Sequence, residues 1–165
     1  RPGNPAPGAL FRLSASLLDS FVAWRDIAPS LQAVALPRGD SARPVPLNSV
    51  YFVSVGHDDD AAWLLAAYLN SLPVRVFART IAERAKDGFF RFFAWTVAVT
   101  PLPQLWRRDT ARELIGLSRI AHESGCATRA VSDQIDAAVG AAYGLTADDL
   151  CTLQRFDAWL SGGTG

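Results

Sequence analysis

Two groups of side chains in this sequence have the chemistry to hold a metal ion or to act as a nucleophile. Residues 57–60 read His-Asp-Asp-Asp, and oxygen-rich clusters of this kind suit magnesium or calcium. His122 and Cys126 are four residues apart, so on a helix they would lie on one face and could share a metal or form a nucleophile pair.

Each group also has a structural interpretation. Consecutive aspartates before a helix act as an N-cap and as first-turn charges, and a histidine at a helix end beside a half-buried thiol requires no ligand. Neither group has a second set of ligands nearby in the sequence. We therefore predict no metal site and no catalytic residue. The glycine-flanked serine of a hydrolase, GxSxG, does not occur either, so the chain by itself is not expected to be an enzyme.

Charge is distributed unevenly along the chain, although the total is zero. Residues 1–108 carry 12 basic and 8 acidic side chains, whereas residues 109–165 carry 4 basic and 8 acidic ones. This asymmetry suggests an anionic partner for the first part. The alternative is that frequent arginine merely reflects a GC-rich genome.

DNA is the anionic partner that these side chains suit. Arginine can contact guanine O6 and N7 with two hydrogen bonds and can bind phosphates, and asparagine can read adenine. The basic candidates lie in a loop rich in proline and glycine or bracket the segment between a predicted helix and an aromatic strand: Arg38, Arg43, Arg79, Arg84, Lys86 and Arg91. Asn48 and Gln32 are weaker candidates, which could read adenine if their strands face the groove. Glu83 could instead pair with Arg79 or Lys86, and Arg25 with Asp26. The five tryptophans are interpreted as core or domain-interface residues.

The elements that must position these side chains can be read from the apolar pattern. Strands are predicted over Phe21–Ile27, Leu31–Leu36, a buried Val50–Val55 and a long Phe89–Thr100. Helices are predicted over Ala61–Ser71, over a short Pro73–Phe77, and in the last third over Asp109–Glu123, Arg129–Tyr143 and Ala147–Leu160. Gly144 is expected to end one of these helices and Thr146 to cap the next. The predicted fold class is α+β, a small mixed β-sheet with flanking helices followed by a C-terminal helical bundle.

The sequence divides into four parts on this prediction. Residues 1–9 form a linker, 10–105 an α+β domain, 106–160 a helical unit and 161–165 a flexible tail. Methionine is absent, and we expect the chain to be a piece of a larger protein. Two cysteines do not indicate a disulfide framework. No apolar run approaches the ~20 residues that span a bilayer. We therefore expect a cytoplasmic location and no membrane partner.

The segment from Asp133 to Leu150 resembles a tail found in many N6-adenine DNA methyltransferases of restriction-modification systems, Ile-Asp-x-x-Val followed by Tyr-Gly-Leu-Thr-x-x-Asp-Leu. Leu69-Asn70-Ser71, the arginine-containing segment after it, and Pro101-Leu102-Pro103 follow in the family's order. Together with the strand-like Phe21–Pro29, they resemble the TaqI-like C-terminal specificity domain, over roughly residues 10 to 150.

That resemblance implies a DNA target recognition domain, with double-stranded DNA and an upstream methyltransferase domain of the same parent chain as partners. It also implies S-adenosylmethionine as the cofactor of the parent, with or without a fused nuclease. The chain itself lacks the Asn/Asp-Pro-Pro-Tyr/Phe motif and the glycine-rich loop that this chemistry requires, so no cofactor is expected within it. The alternative is a protein-interaction or dimerisation module without direct DNA contact, whose docking surface would be the acidic helices of residues 109–160.

Overall fold

The computed structural model describes residues 19–38, 48–103 and 108–162. Its first part is organised by a central strand that is buried over its first four residues. Strand β1 (Phe21–Arg25) is followed by β2 (Ile27–Ala28), β3 (Ala33–Leu36) and β4 (Val50–Ser54). β1 pairs antiparallel with β3 on one side and with β4 on the other. Because successive side chains alternate between faces, Val22 and Trp24 enter the main core, while Phe21 and Ala23 join a smaller cluster with Leu36.

The two strands predicted on either side of Pro29 are thus confirmed, and the α+β class is confirmed. The described strands do not form one mixed sheet, however, because every pairing among them is antiparallel. β5 (Glu83–Arg84) and β6 (Phe90–Arg91) build a second three-stranded sheet with β2, in the order β2-β6-β5. The short step from β1 to β2 links the two sheets.

Local capping signals define the first helices. Helix α1 (Asp59–Asn70) begins where the Asp58 side chain accepts a hydrogen bond from the Ala61 amide at 2.9 Å. Helix α2 (Leu72–Ile81) follows after Ser71 alone, and Pro73 lies in its first turn, where a missing N–H has no cost. The prediction of a helix, a break and a second helix is confirmed, but α2 continues past Phe77 to Ile81.

The strand predicted over Phe89–Thr100 is wrong. Only Phe90–Arg91 forms a strand, and Ala94–Ala98 forms a short helix, α3. The alternating apolar residues of this segment coincide with a second pattern, in which Phe92, Thr96 and Thr100 are buried at spacings of four residues. That spacing is typical of a helix. Two of the three buried residues are threonines, so a pattern of apolar residues alone does not indicate the helix.

Strand β4 was predicted to be buried, and this is also wrong. Its residues are half-buried or exposed, because β4 lies at an edge of its sheet with only β1 as a neighbour. A short apolar run does not distinguish an edge strand from a central one.

The three C-terminal helices match the prediction closely: α4 (Arg108–Glu123), α5 (Arg129–Ala142) and α6 (Ala147–Leu160). After α5, Gly144 adopts a left-handed conformation with φ of 75°, which glycine tolerates without a steric penalty. Thr146 and Asp149 then form a reciprocal capping box that starts α6. The predicted helix-stop-helix is confirmed.

One core joins the α+β part to these helices. Leu114 and Leu117 from α4 and Ile135 and Val139 from α5 belong to the same buried cluster as Trp24. The predicted boundary near residue 105 lies outside the described residues. The same is true of the predicted linker, residues 1–9, and of residues 163–165 of the predicted tail. Within the described ranges no single helix is long and apolar enough to cross a membrane; α1 and α2 meet that requirement only as a pair, bent by 67°.

Candidate nucleic-acid interface

A β-hairpin of residues 83–91, here called the basic hairpin, carries three of the predicted DNA-contacting residues, Arg84, Lys86 and Arg91. β5 and β6 pair antiparallel, with Glu83 opposite Arg91 and Arg84 opposite Phe90. The turn reverses through a short 3-10 helix, Lys86–Gly88, in which Asp87 and Gly88 have φ of 58° and 78°. Glycine and aspartate are among the residues that tolerate this left-handed region best.

The tip and outer strand of the basic hairpin are open to solvent. Arg84, Lys86 and Phe89 are exposed, whereas Phe90 is buried and anchors the hairpin on the core. The Arg84 guanidinium lies 5.7 Å from the centre of the Phe90 ring, a cation–π contact that positions it without neutralising its charge. Arg84 and Lys86 are therefore available to an anionic ligand. Glu83 and Asp87 are exposed on the same hairpin, so its charge is mixed.

Arg91 is held more firmly than the other hairpin cations. Its Nη2 donates a hydrogen bond to Asp26 Oδ2 at 2.9 Å, and its guanidinium carbon lies 4.5 Å from the centre of the Phe93 ring. The hydrogen bond to Asp26 raises the pKa of Arg91 above its ordinary value, with Glu83 adding to the effect. Arg91 thus acts mainly to join β6 to the end of β1.

Aromatic side chains extend from Arg91 across the neighbouring surface. Phe93 and Trp95 stack with ring centres 6.4 Å apart, and Tyr51 meets Phe93 edge-on at 6.4 Å. Trp95 is 53% exposed. These three residues, here called the aromatic platform, are the kind of surface on which bases or sugars stack. Sequence reasoning missed it because Trp95 was interpreted as a core or domain-interface residue.

Asn48 and Arg25 lie beside the Asp26–Arg91 ion pair. Asn48 is exposed, and the next residue, Ser49, accepts a hydrogen bond from the Asp26 amide at 2.9 Å. The suggested Arg25–Asp26 pair does not form, since Asp26 pairs with Arg91. Arg25 is exposed, and no ion pair involves it among the described residues. Arg25 was not among the DNA-contacting residues predicted from the sequence, although its position at the end of the apolar run of β1 could have indicated an exposed arginine.

Arg79 lies inside the protein, away from any surface that DNA could reach. Its side chain is 2% exposed and contacts Asp157 of α6 at 2.6 Å. The same nitrogen, Nη1, also lies 3.2 Å from the Asp157 carbonyl oxygen and 3.2 Å from Ser161 Oγ. Arg79 therefore fastens α2 to α6, and we remove it from the candidate DNA contacts.

Arg38 is exposed but lies at the other end of β1. Its Nε is 3.4 Å from Asp59 Oδ1, and its amide donates to Ser20 Oγ and Asp59 Oδ1. Hydrogen bonds from Ser20 and Arg38 lower the pKa of Asp59. Ser20 and Asp26 bracket β1, which places Arg38 about 20 Å from Arg91 at the ordinary strand rise. Arg43 lies outside the described residues.

The two sequence groups with metal-binding chemistry have structural roles. Asp58 caps α1, and Asp59 and Asp60 occupy its first turn, as the structural interpretation held. His122 packs edge-on against Trp63 with ring centres 5.1 Å apart, and the Cys126 thiol is exposed rather than half-buried. In the described segments no three His, Cys, Asp or Glu side chains come together in a group that could hold a metal ion.

The segments that carry the family resemblance meet in space. Tyr68 directly precedes Leu69-Asn70-Ser71. Its hydroxyl donates to the Pro101 carbonyl at 2.6 Å and lies 2.9 Å from the Tyr143 hydroxyl, which donates to the same carbonyl. Burial raises the pKa of both phenols. Asn70 hydrogen-bonds through its carboxamide to both the amide and the carbonyl of Ala33. These motif residues hold helices and strand together, and none lies in the basic hairpin.

No protein-family model, no curated protein and no solved structure matches this chain.

Proposed function

We propose that the chain is the DNA target recognition part of an adenine-specific modification enzyme and that the basic hairpin contacts the duplex. The observation that carries the proposal is the exposure of Arg84 and Lys86 on a two-stranded ribbon whose base is anchored by buried Phe90. The major groove of B-DNA is wide enough to admit such a ribbon. Arg25 and Asn48, near Arg91, would extend the contact along one edge of the molecule.

Arg91 and the aromatic platform have supporting roles in this proposal. Arg91 is held by Asp26 and Phe93, so it would join the hairpin to the end of β1. Trp95, exposed beside it, would contact the sugar-phosphate backbone or an unstacked base. Arg38 and Arg43, if they take part, would contact backbone phosphates well away from the hairpin, since phosphate contacts position a protein on the duplex without reading its sequence.

The convergence of Tyr68, Pro101 and Tyr143 supports the family resemblance behind the proposal. Three short motifs that are weak individually gain weight when they pack on one another, because one packing arrangement then accounts for all of them. The acceptor that they share is a backbone carbonyl.

Methyl transfer in this proposal belongs to the parent chain, upstream of Arg1, together with its S-adenosylmethionine. The described residues do not fit that cofactor. β4 passes to α1 through residues 55–58, which contain the single glycine Gly56, and this is not the glycine-rich connection that such cofactors require. A cytoplasmic location is proposed with the same function, since modification enzymes act on chromosomal DNA.

The test is binding of the 165-residue chain to mixed-sequence duplex DNA at low salt, followed by selection from a random-sequence duplex library. We expect the double variant Arg84→Ala/Lys86→Ala to bind about tenfold more weakly or worse, because two phosphate or base contacts are lost. The matched control Arg112→Ala/Arg129→Ala removes two exposed arginines from the C-terminal helices and should bind as the wild type does. Equal weakening by both double variants, or no binding by the wild type, would refute the proposal.

A second candidate function is docking onto a protein through the C-terminal helices. Phe156 and Trp159 stack on α6 with ring centres 5.6 Å apart, and Trp159 is 61% exposed. An exposed aromatic pair of this kind is typical of interface anchors. Dimerisation is its simplest form, and sedimentation velocity at increasing concentration tests it. A concentration-dependent dimer that Trp159→Ser abolishes would support docking between copies, and a monomer throughout would exclude that form.

A further inference from the structure

A cleft separate from the basic hairpin opens between the edge of β3 and helices α4 and α5. It has a volume of about 630 Å³, within the usual range of small-molecule sites. One wall is apolar and includes Trp63, Ala66 and Ile135, and the opposite rim is the β3 edge at Ala33 and Ala35. The Asn70 carboxamide accepts a hydrogen bond from the Ala33 amide and donates one to the Ala33 carbonyl, which fixes this rim.

Arg75 lines this cleft and is the feature that needs explaining. Its Nε is buried and makes no hydrogen bond, and none of the ion pairs among the described residues involves it. A buried, unpaired donor on a cation is costly. Arg75 interacts electrostatically with Asp136, but the Asp136 carboxylate accepts its hydrogen bond from the Leu72 amide, at 2.6 Å. The Arg75 guanidinium therefore retains its hydrogen-bonding capacity.

The other polar groups of the cleft favour an anion as well. No aspartate or glutamate is among its described lining residues, and Ser118, Ser132 and His122 contribute hydroxyl or imidazole groups. A planar guanidinium with unused donors is the best protein partner for a carboxylate or a phosphate. The apolar wall would cover the uncharged remainder of such a ligand.

We propose that this cleft binds a small organic oxyanion, a carboxylate or phosphate on a compact apolar body, with Arg75 as the anion-binding residue. The ligand's charged end would lie against Arg75 and Ser132, and its apolar end against Trp63. The cleft shares no residue with the basic hairpin. Failure of the anion-binding proposal would therefore leave the DNA-recognition proposal unaffected, and the reverse also holds.

The test is titration of the 165-residue chain with benzoate, phenyl phosphate and the uncharged benzamide, followed by amide chemical shifts in NMR. We expect saturable shifts at Ala33 and Ser132 with one or both anions, and binding of benzamide at least about tenfold weaker, since a hydrogen bond to a charged group is lost. The two anions distinguish a carboxylate site from a phosphate site. The proposal would be overturned if neither anion gave saturable chemical shift changes at millimolar concentrations, or if benzamide bound as tightly as the anions. Neither result depends on a variant.

Two substitutions complete the test. Arg75→Gln should weaken anion binding by at least about tenfold, whereas Arg75→Lys should retain part of it, because charge remains but the two-pronged geometry is lost. The matched control Arg84→Gln removes an exposed arginine from the basic hairpin and should leave these shifts unchanged. If Arg84→Gln abolishes binding instead, the anion binds at the hairpin and the cleft is not the site.

Discussion

The Arg79–Asp157 pair has the most enclosed cation among the described ion pairs, with the Arg79 side chain 2% and the Asp157 side chain 23% exposed. Such a pair contributes little beyond an apolar contact when intact but leaves an uncompensated charge when one partner is removed. At the scale of single residues, burial therefore separates arginines that look equivalent in the sequence. Arg79 and Arg84 are five positions apart, yet one joins two helices and the other faces solvent.

Asp157→Asn is expected to destabilise the protein by about 2–4 kcal/mol, because the buried Arg79 guanidinium would keep its charge without a counter-ion. The control is Asp109→Asn, whose carboxylate is 93% exposed and 3.7 Å from Arg112; exposed pairs contribute about 0–1 kcal/mol. Urea denaturation of both variants measures the difference in unfolding free energy. Equal losses would contradict the role assigned to Arg79.

Asp136 should make stability depend on pH in the opposite direction from most carboxylates. Burial raises its pKa, and this outweighs the hydrogen bond from the Leu72 amide and the proximity of Arg75. The ionised carboxylate therefore costs stability at neutral pH, and the cost falls as pH is lowered through the raised pKa towards 3.8. Asp136→Asn should be at least as stable as the wild type at neutral pH, with an advantage that shrinks in acid.

Denaturation at a series of pH values checks this prediction. Asp109→Asn, on α4 with a side chain 93% exposed, is the control and should show no such advantage. If Asp136→Asn is less stable than the wild type at neutral pH, the favourable interactions of the ionised carboxylate outweigh the cost of burying it, which would contradict this prediction.

At the scale of elements, the helices were predictable because their signals are local. Asp58 and Thr146 cap α1 and α6 through contacts with residues three positions ahead, so neighbouring letters are sufficient to identify them. The region 83–100 was not predictable in this way. Its strands have two residues each, and the pairing of β6 with distant β2 decides its conformation. The sequence could therefore predict the cations of the basic hairpin but not the β-hairpin that carries them.

Thr146→Ala should destabilise α6 by about 1 kcal/mol, the usual cost of losing a helix N-cap. The Asp149 side chain accepts hydrogen bonds from Thr146, which lower its pKa. Its contribution is present above its ordinary pKa of 3.8 and is lost as pH falls through the lowered value. The difference between wild type and variant, measured by urea denaturation, should therefore narrow in acid. Thr152→Ala, within the same helix, is the control and should change stability by less.

At the scale of the whole molecule, charge and packing divide the protein differently. The net charge changes sign near residue 108, but Leu114, Leu117, Ile135 and Val139 belong to one core with Trp24 and Phe92. Composition could predict the first division, since it requires only counting. It could not predict the shared core, because that depends on which helix faces meet. The exposed cations of the hairpin and the acidic C-terminal helices consequently belong to one packed unit.

The most direct test of DNA contact by the basic hairpin is the salt dependence of duplex binding. For each phosphate neutralised, the logarithm of the binding constant falls with a slope of about 0.9 against the logarithm of salt concentration. Arg84→Ala/Lys86→Ala should reduce the slope by about 2 if both cations contact phosphates, and Arg84→Ala alone by about 1. Arg112→Ala/Arg129→Ala should leave the slope unchanged. A wild-type slope that persists in Arg84→Ala/Lys86→Ala would contradict the role of the hairpin.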